Sequence, residues 1–455
     1  MNLILNRFVG DKAFYQRTFQ VALPLALQML LQSCMSIVDM MMVSSIGMVT
    51  AVGNATQIIT LHDGITWGMI GGTAMFASQF FGAKQNDNLK KCFVLCLMIG
   101  LCNASIWIII ASFFGKDILY FYLSDIEVLQ YSMIYLKIIL FYLVPYAINN
   151  AFMTLYRSTH QTKVTLIFSV SGALMNVILN GLFIFVLNFG IAGAALGTVL
   201  SQTTVMILNV TYAIKTKQPF FYGLSIQDFH LHSDFVKPIV SKMLPLILNE
   251  SMFSLAMTLF VKAYGLLGTT SMDAYYVANQ IYNMFLFAVR GYGQAVGILI
   301  GTRLGSGRIE LAKQESGYQL ALAGVMAVIM LVVTIVGSKF MVSLFGYTSG
   351  VVFELAVGVV CALSLKVFFR MFNFVMFSTL KAGGDAGILN FLDAGIVYLV
   401  GLPIAFSSVM LLKIESIVIV ILLCQIEQLV RFILTAKRYR TYIWAKDLTK
   451  LIEAH

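Results

Sequence analysis

The sequence predicts an all-α integral membrane protein, with twelve transmembrane helices in two six-helix bundles related by a pseudo-two-fold axis along the membrane normal. Three observations lead there. The residues are 59% hydrophobic and 11% charged, with a mean hydropathy of +0.88, whereas soluble domains run nearer ~45–50% and ~25%. About twelve apolar runs reach the ~20 residues that a helix needs to span hydrocarbon. The second half of the chain repeats the first at an offset of 221–224 residues, and an even number of helices per repeat makes the duplication parallel.

Taken in order, the runs of the first half are Thr18–Val43, Val52–Phe80, Cys92–Phe114, Leu129–Phe152, Lys163–Leu187 and Ile191–Ile214. Those of the second half are Ser241–Tyr264, Ala274–Ile300, Ser316–Val336, Val351–Val375, Gly387–Met410 and Ser416–Thr435. The expected organisation is an N-terminal lobe over 1–214, a polar linker over 215–238, a C-terminal lobe over 239–437 and a tail over 438–455. Three pairs of segments carry the repeat. LPLALQ at Leu23 matches LPLILN at Leu244, Gly82 aligns with Gly305, and Arg157 aligns with Lys381.

With twelve spans, alternate loops share a side, and the basic residues divide unevenly between the sides. Arg7, Lys12, Arg17, Lys84, Lys90, Lys91, Arg157, Lys163, Arg303, Arg308, Lys381 and the basic residues near the C-terminus fall on one side; the other holds only Lys116, Lys339 and Lys413. The positive-inside rule then makes both termini cytoplasmic. The formal net charge of +10 follows from topology and an anionic inner leaflet, so no nucleic-acid partner is expected. Met1–Gln16 precedes a full-length span and has no small-residue cleavage site, so it is not read as a secretory signal. Six cysteines, Cys34, Cys92, Cys96, Cys102, Cys361 and Cys424, all lie in apolar runs and read as small hydrophobes. The chain carries no phosphate loop, nucleophile triad or metal-ligand spacing. An enzyme is therefore not expected.

Charged residues inside spans are functional hypotheses by default. At 1.5 Å per residue, Asp39 in the first helix, Asn180 in the fifth and Thr198 in the sixth fall at one level in the outer half of the first bundle, with Asn176 a turn deeper. A carboxylate with amide and hydroxyl oxygens is a hard-ligand set suited to Na⁺, and in low dielectric a carboxyl group can also carry a proton. Glu250 lies near the middle of the seventh helix, a turn after Pro245. Backbone carbonyls freed by the proline are available there to a cation or substrate. His62 and Asp63 lie mid-span in the second helix. Arg290, Lys366 and Arg370 are cations inside spans and need partners, for which Glu250 and Asp393 are candidates; Glu427 and Arg431 read as an i,i+4 pair. Tyr275, Asn279, Gln280, Tyr282 and Asn283 cluster on the eighth helix and suit a cavity for aromatic, adaptable ligands.

The segments LPLALQMLLQSCMSIVD, SQFFGAKQ, YRSTHQTK, LMNVILNGLFIF and GIAGAALGTVLSQ, in this order and duplicated, resemble the multidrug and toxic compound extrusion (MATE) family over about Thr18–Arg440. The resemblance implies a two-lobed exporter driven by entry of Na⁺ or H⁺ and acting on organic cations. By position, Asp39 matches the family's first-helix aspartate, and Asn176 and Thr198 match two of its neighbours. Asn180 departs from an aspartate often found there. Glu250 matches a seventh-helix glutamate of Na⁺-binding branches, whose tenth-helix acid has no counterpart where Lys366 and Arg370 stand.

The expected activity is thus secondary active transport: a monomeric, bilayer-embedded antiporter of the plasma membrane (bacterial inner-membrane type). It would export amphipathic small molecules by rocker-switch alternating access, coupled to H⁺ or Na⁺ with no other cofactor. Asp39, Asn176, Asn180, Thr198 and Glu250 would couple the ion, the first four of them holding Na⁺ where Na⁺ is used. His62, Asp63, the eighth-helix cluster, Arg290, Lys366 and Arg370 would line the substrate cavity. The alternatives are a flippase for a lipid-linked oligosaccharide or peptidoglycan precursor, or an exporter of an anionic organic substrate.

Overall fold

Twelve long helices account for nearly all of the described chain in the computed structural model, which describes residues 9–46, 48–122 and 126–450. Arg7, counted above among the topological charges, and residues 451–455 of the expected tail lie outside the described residues. In chain order the helices are α1 Lys12–Ser44, α2 Val49–Gly82, α3 Asn86–Tyr122, α4 Ile126–Ser158, α5 Thr162–Val186 and α6 Gly190–Lys215. The second series is α7 Ser233–Gly265, α8 Thr269–Gly305, α9 Ile309–Ser343, α10 Val351–Ala382, α11 Gly387–Met410 and α12 Ile417–Arg440. Among the described residues, α3 to α12 are long and apolar enough to cross a membrane.

Most of the helices begin earlier and end later than the apolar runs that announce them. α4, for example, adds three residues before Leu129 and continues to Ser158. Backbone groups in a bilayer have no water to turn to, so the hydrogen-bond ladder runs on past the apolar stretch until a turn residue stops it. Prolines leave local marks on that ladder. A 3-10 turn at Leu140–Tyr142 precedes Pro145 in α4, and a π turn at Val397–Gly401 precedes Pro403 in α11, relieving the clash of each ring with the preceding turn. α1 and α7 remain helical through Pro24, Pro238 and Pro245.

The duplication read from sequence recurs in the turns. Lys84 and Gly307, His160 and Gly384, and Asn188 and Lys413 have left-handed backbones with φ of 60° and 72°, 63° and 81°, and 53° and 49°. At the first two pairs the same six-residue closure ends the helix, Gln85 N–H to Phe80 O and Arg308 N–H to Arg303 O, Gln161 N–H to Tyr156 O and Asp385 N–H to Leu380 O; at the third the closure is one residue longer in both halves, Phe189 N–H to Phe183 O and Ile414 N–H to Ser408 O. Such left-handed closures satisfy carbonyls that the end of a helix leaves open.

The chain forms two compact units, one of Leu27–Ile247 and one comprising the described residues up to Ala26 together with Leu248–Lys450. Their edges fall inside α1 and α7, not in the connector. Within the first unit, the connector is anchored: Phe220 is fully buried against Phe93, Phe152 and Tyr156, and Gln218 exchanges hydrogen bonds with Gln161. The second unit holds the start of α1 through Glu315, which accepts from Arg17 at 2.5 Å and from Arg303 at 2.9 Å. Two of the basic residues read as topological signals are therefore also ion-pair partners. The segment after α12 folds back in the same unit, with Trp444 fully buried, stacked on Tyr439 and donating to its carbonyl at 3.0 Å.

Candidate functional site

Asp39, Asn176, Asn180 and Thr198 form one hydrogen-bonded chain in the first unit. Asn180 Nδ2 donates to Asp39 Oδ1 at 3.1 Å and to Asn176 Oδ1 at 3.2 Å. Asn176 Nδ2 donates to Thr198 Oγ1 at 3.3 Å, and the Thr198 hydroxyl donates to the Ala194 carbonyl at 3.0 Å. Helical spacing explains half of this, because Asn176 and Asn180 are i,i+4 on α5. The other half depends on how closely α6 approaches. A Cβ on Gly197 would sit 2.0 Å from Asn180 Oδ1, so only glycine leaves room for the Asn180 side chain.

Asn176 and Asn180 are buried and Asp39 is half-buried. Among the described residues Asp39 has no cationic partner, and Asn180 Oδ1 is buried without a hydrogen bond. The pocket therefore presents a carboxylate and neutral oxygens with no built-in positive charge. Such a set suits a proton on the carboxylate or a hard monovalent cation between the oxygens.

Glu250 is half-buried on α7 and, among the described residues, makes no hydrogen bond or ion pair; it lies within electrostatic reach of Lys381. It belongs to the second unit, whereas the Asp39 chain lies in the first. The acid that gathers Arg370 and Arg431 is Asp393, on a π turn of α11. Arg431 Nη1 donates to Asp393 Oδ1 at 2.5 Å, Arg370 Nη1 stands 3.5 Å from the same oxygen, and Arg431 also pairs with Glu427. Asn249 Nδ2 donates to Asp393 Oδ2 at 3.2 Å. Two carboxylates and two guanidiniums balance, which is the condition for keeping charges buried. Arg370 is further sandwiched against Phe253 and Phe374.

Lys366, a turn before Arg370, lies 5.2 Å over the ring of Tyr282. Among the described residues it has no carboxylate within ion-pair distance. Tyr275 packs on Tyr264 at 5.1 Å. Of the remaining α8 residues, Asn279 and Asn283 are half-buried, Gln280 and Arg290 are exposed, and none makes a hydrogen bond among the described residues. The polar cluster read on α8 thus splits: Tyr275 and Tyr282, seven residues apart, face the packed interior, and Gln280 and Arg290 do not.

In the first unit, His62 is buried, its Nδ1 3.1 Å from Asp63 Oδ1 and its ring 5.9 Å from that of Tyr146. It lines a small cavity with Thr66, Thr73, Cys96 and Asn150. Gln28, which is not among the residues expected from sequence, donates through its amide to Ser169 at 2.6 Å. The repeat register was the available signal, since Gln28 and Ser169 correspond to Asn249 and Asp393.

The chain is 25% identical to "Probable multidrug resistance protein YoeA" of Bacillus subtilis over 332 residues, 71% of each chain. It is 24% identical to "Uncharacterized transporter YisQ" of the same organism over 96% of each. The fold matches the solved structure described as "Reverse polarity of binding pocket suggests different function of a MOP superfamily transporter from Pyrococcus furiosus", with a TM-score of 0.83 at 18% identity, covering 96% of this chain and 97% of that one. The MatE family profile matches residues 24–182 and again 245–407, the two halves of the repeat. The chain belongs to the MatE family, the multidrug and toxic compound extrusion transporters.

Proposed function

We propose that this protein is a secondary active antiporter that exports amphipathic organic small molecules, driven by entry of H⁺ or Na⁺ at Asp39. The observation that carries this reading is the contrast between two acids. Asp393 is neutralised by guanidiniums, whereas Asp39 accepts from the Asn180 amide and, among the described residues, has no cation of its own. A lone carboxylate among neutral oxygens gains most from binding a mobile cation, and cation loading changes the hydrogen bonds it can make with Asn180.

Na⁺ would be held by Asp39, Asn176, Asn180 and Thr198; with H⁺, Asp39 carries the proton. Loading would bias the lobes, 1–214 and 239–437 joined by 215–238, between two accesses in a rocker-switch cycle. Glu250 would respond to the ion in the second lobe, and His62, Asp63, Tyr275, Asn279, Gln280, Tyr282, Asn283, Arg290, Lys366 and Arg370 would contribute to the substrate path. The protein would act as a monomer in the plasma membrane with both termini cytoplasmic.

A second reading, export of an anionic organic substrate, is favoured by Lys366, a cation set on Tyr282 with no carboxylate paired to it. The reversed pocket polarity described for the Pyrococcus furiosus relative agrees with it. A lipid-linked precursor with a pyrophosphate would fall in this class.

Purified protein in proteoliposomes, with proton and sodium gradients imposed separately against cationic and anionic dyes, tests both readings. One gradient is expected to drive efflux, and D39N to abolish it. Full ion-driven efflux by D39N removes Asp39 from the mechanism, and accumulation of anionic dyes alone selects the second reading.

A further inference from the structure

Arg157 occupies the last turn of α4, is 8% exposed, and among the described residues has neither a hydrogen bond nor a carboxylate partner. Its Nε is buried and unsatisfied, as are Thr154 Oγ1 and Ser158 Oγ. These three positions, spaced i, i+3 and i+4, share one face of the helix. Helical side chains lean toward the N-terminus, which carries the guanidinium back over the turn bearing Thr154. The carbonyl end of the helix offsets part of the charge but offers Nε no acceptor. A guanidinium only donates, so whatever completes this cluster accepts hydrogen bonds, and a buried positive charge with no carboxylate beside it favours an acceptor that is negative.

The second repeat places a cation at the same position and carries acids that the first repeat lacks. Lys381 replaces Arg157 in the last turn of α10, three residues before the matching left-handed residue, and lies within electrostatic reach of Glu250 and Asp393. The register between the repeats is fixed by a shared hydrogen bond, Gln28 to Ser169 in one and Asn249 to Asp393 in the other. In that register Met29 stands for Glu250 and Ser169 for Asp393. The first half has kept the cation and has neither acid.

We infer that Arg157, with the hydroxyls of Thr154 and Ser158, binds a small inorganic anion of chloride size at the α4–α5 end of the first unit. The anion supplies there the negative charge that the second half carries at Glu250 and Asp393. Little of Arg157 is open to solvent, which restricts the site to a small ion.

The test uses the purified full-length chain in neutral detergent, with gluconate replaced stepwise by chloride at constant ionic strength and pH. Wild type is expected to show a saturable rise in Tm and to bind one radioactive chloride per chain. R157Q is expected to lose both, and removing the Thr154 and Ser158 hydroxyls together to weaken chloride binding severalfold. S169D, which installs the carboxylate of the other repeat, is expected to fold and to lose the chloride response, so the inference stays testable where R157Q does not fold. A wild-type Tm independent of chloride overturns it, as does a wild-type response retained in R157Q or S169D. A shift produced by phosphatidylglycerol and not by chloride also overturns it.

Discussion

At the scale of single residues, the two units treat buried charge in opposite ways. Arg431 is fully buried and bridges Asp393 and Glu427. Truncating it leaves two carboxylates with too little positive charge, so R431A is expected to destabilise the protein by about 3–5 kcal/mol, read as a fall in Tm of the purified protein. Asp39 has no such partner, and its environment depends on a residue that has no side chain. In G197A the new methyl meets Asn180, and moving Asn180 away from Asp39 is expected to cost about 1–3 kcal/mol. The same variant should impair ion-driven efflux in proteoliposomes, whereas a pocket of merely structural importance would lose stability alone.

At the scale of elements, the turns carry the duplication more plainly than the helices do, because a left-handed closure tolerates few alternatives. Lys84 is exposed, with φ of 60°, at the position where the second repeat has Gly307. A residue with a Cβ in this conformation costs roughly 1–2 kcal/mol relative to glycine, partly offset by the greater freedom of glycine in the unfolded chain. K84G is therefore expected to raise stability by about 0.5–1 kcal/mol, measurable as a higher Tm. The connector holds a different device. Asp228 accepts from the Ser225 backbone N–H at 2.7 Å and from the Ser225 hydroxyl at 3.1 Å, and these bonds hold its carboxyl below the usual carboxylate range. A depressed pKa in the folded state means that the cap contributes above the ordinary carboxylate pKa and is lost as pH falls through the lowered value.

At the scale of the whole molecule, stability reaches into segments that composition marks as linker and tail. Trp444 is fully buried, and a Cβ on Gly383 would lie 1.5 Å from the Trp444 carbonyl oxygen. The segment after α12 is thus packed against the α10–α11 turn. W444A is expected to cost about 3–5 kcal/mol, measurable by thermal unfolding, while a loosely attached tail would tolerate the change.

The sequence by itself determined the helix count, the duplication and the membership of the Asp39 cluster. Bilayer thickness sets helix length, and a constant rise per residue converts position into depth, so residues at one depth on neighbouring helices can be named before they are seen together. It also pointed to Asp393 as a partner for the buried cations. It did not determine which side chains face each other at a given depth. That Arg431 joins Asp393 to Glu427, that Gln280 and Arg290 are exposed while Tyr282 is buried, and that Arg157 is buried beside two unpaired hydroxyls were decided by the tertiary structure. The physical reason is rotational. Rise is fixed by the backbone hydrogen bonds of one helix, whereas the face a helix turns inward is settled only by packing against its neighbours, and in a chain this apolar the hydrophobic pattern marks no single face.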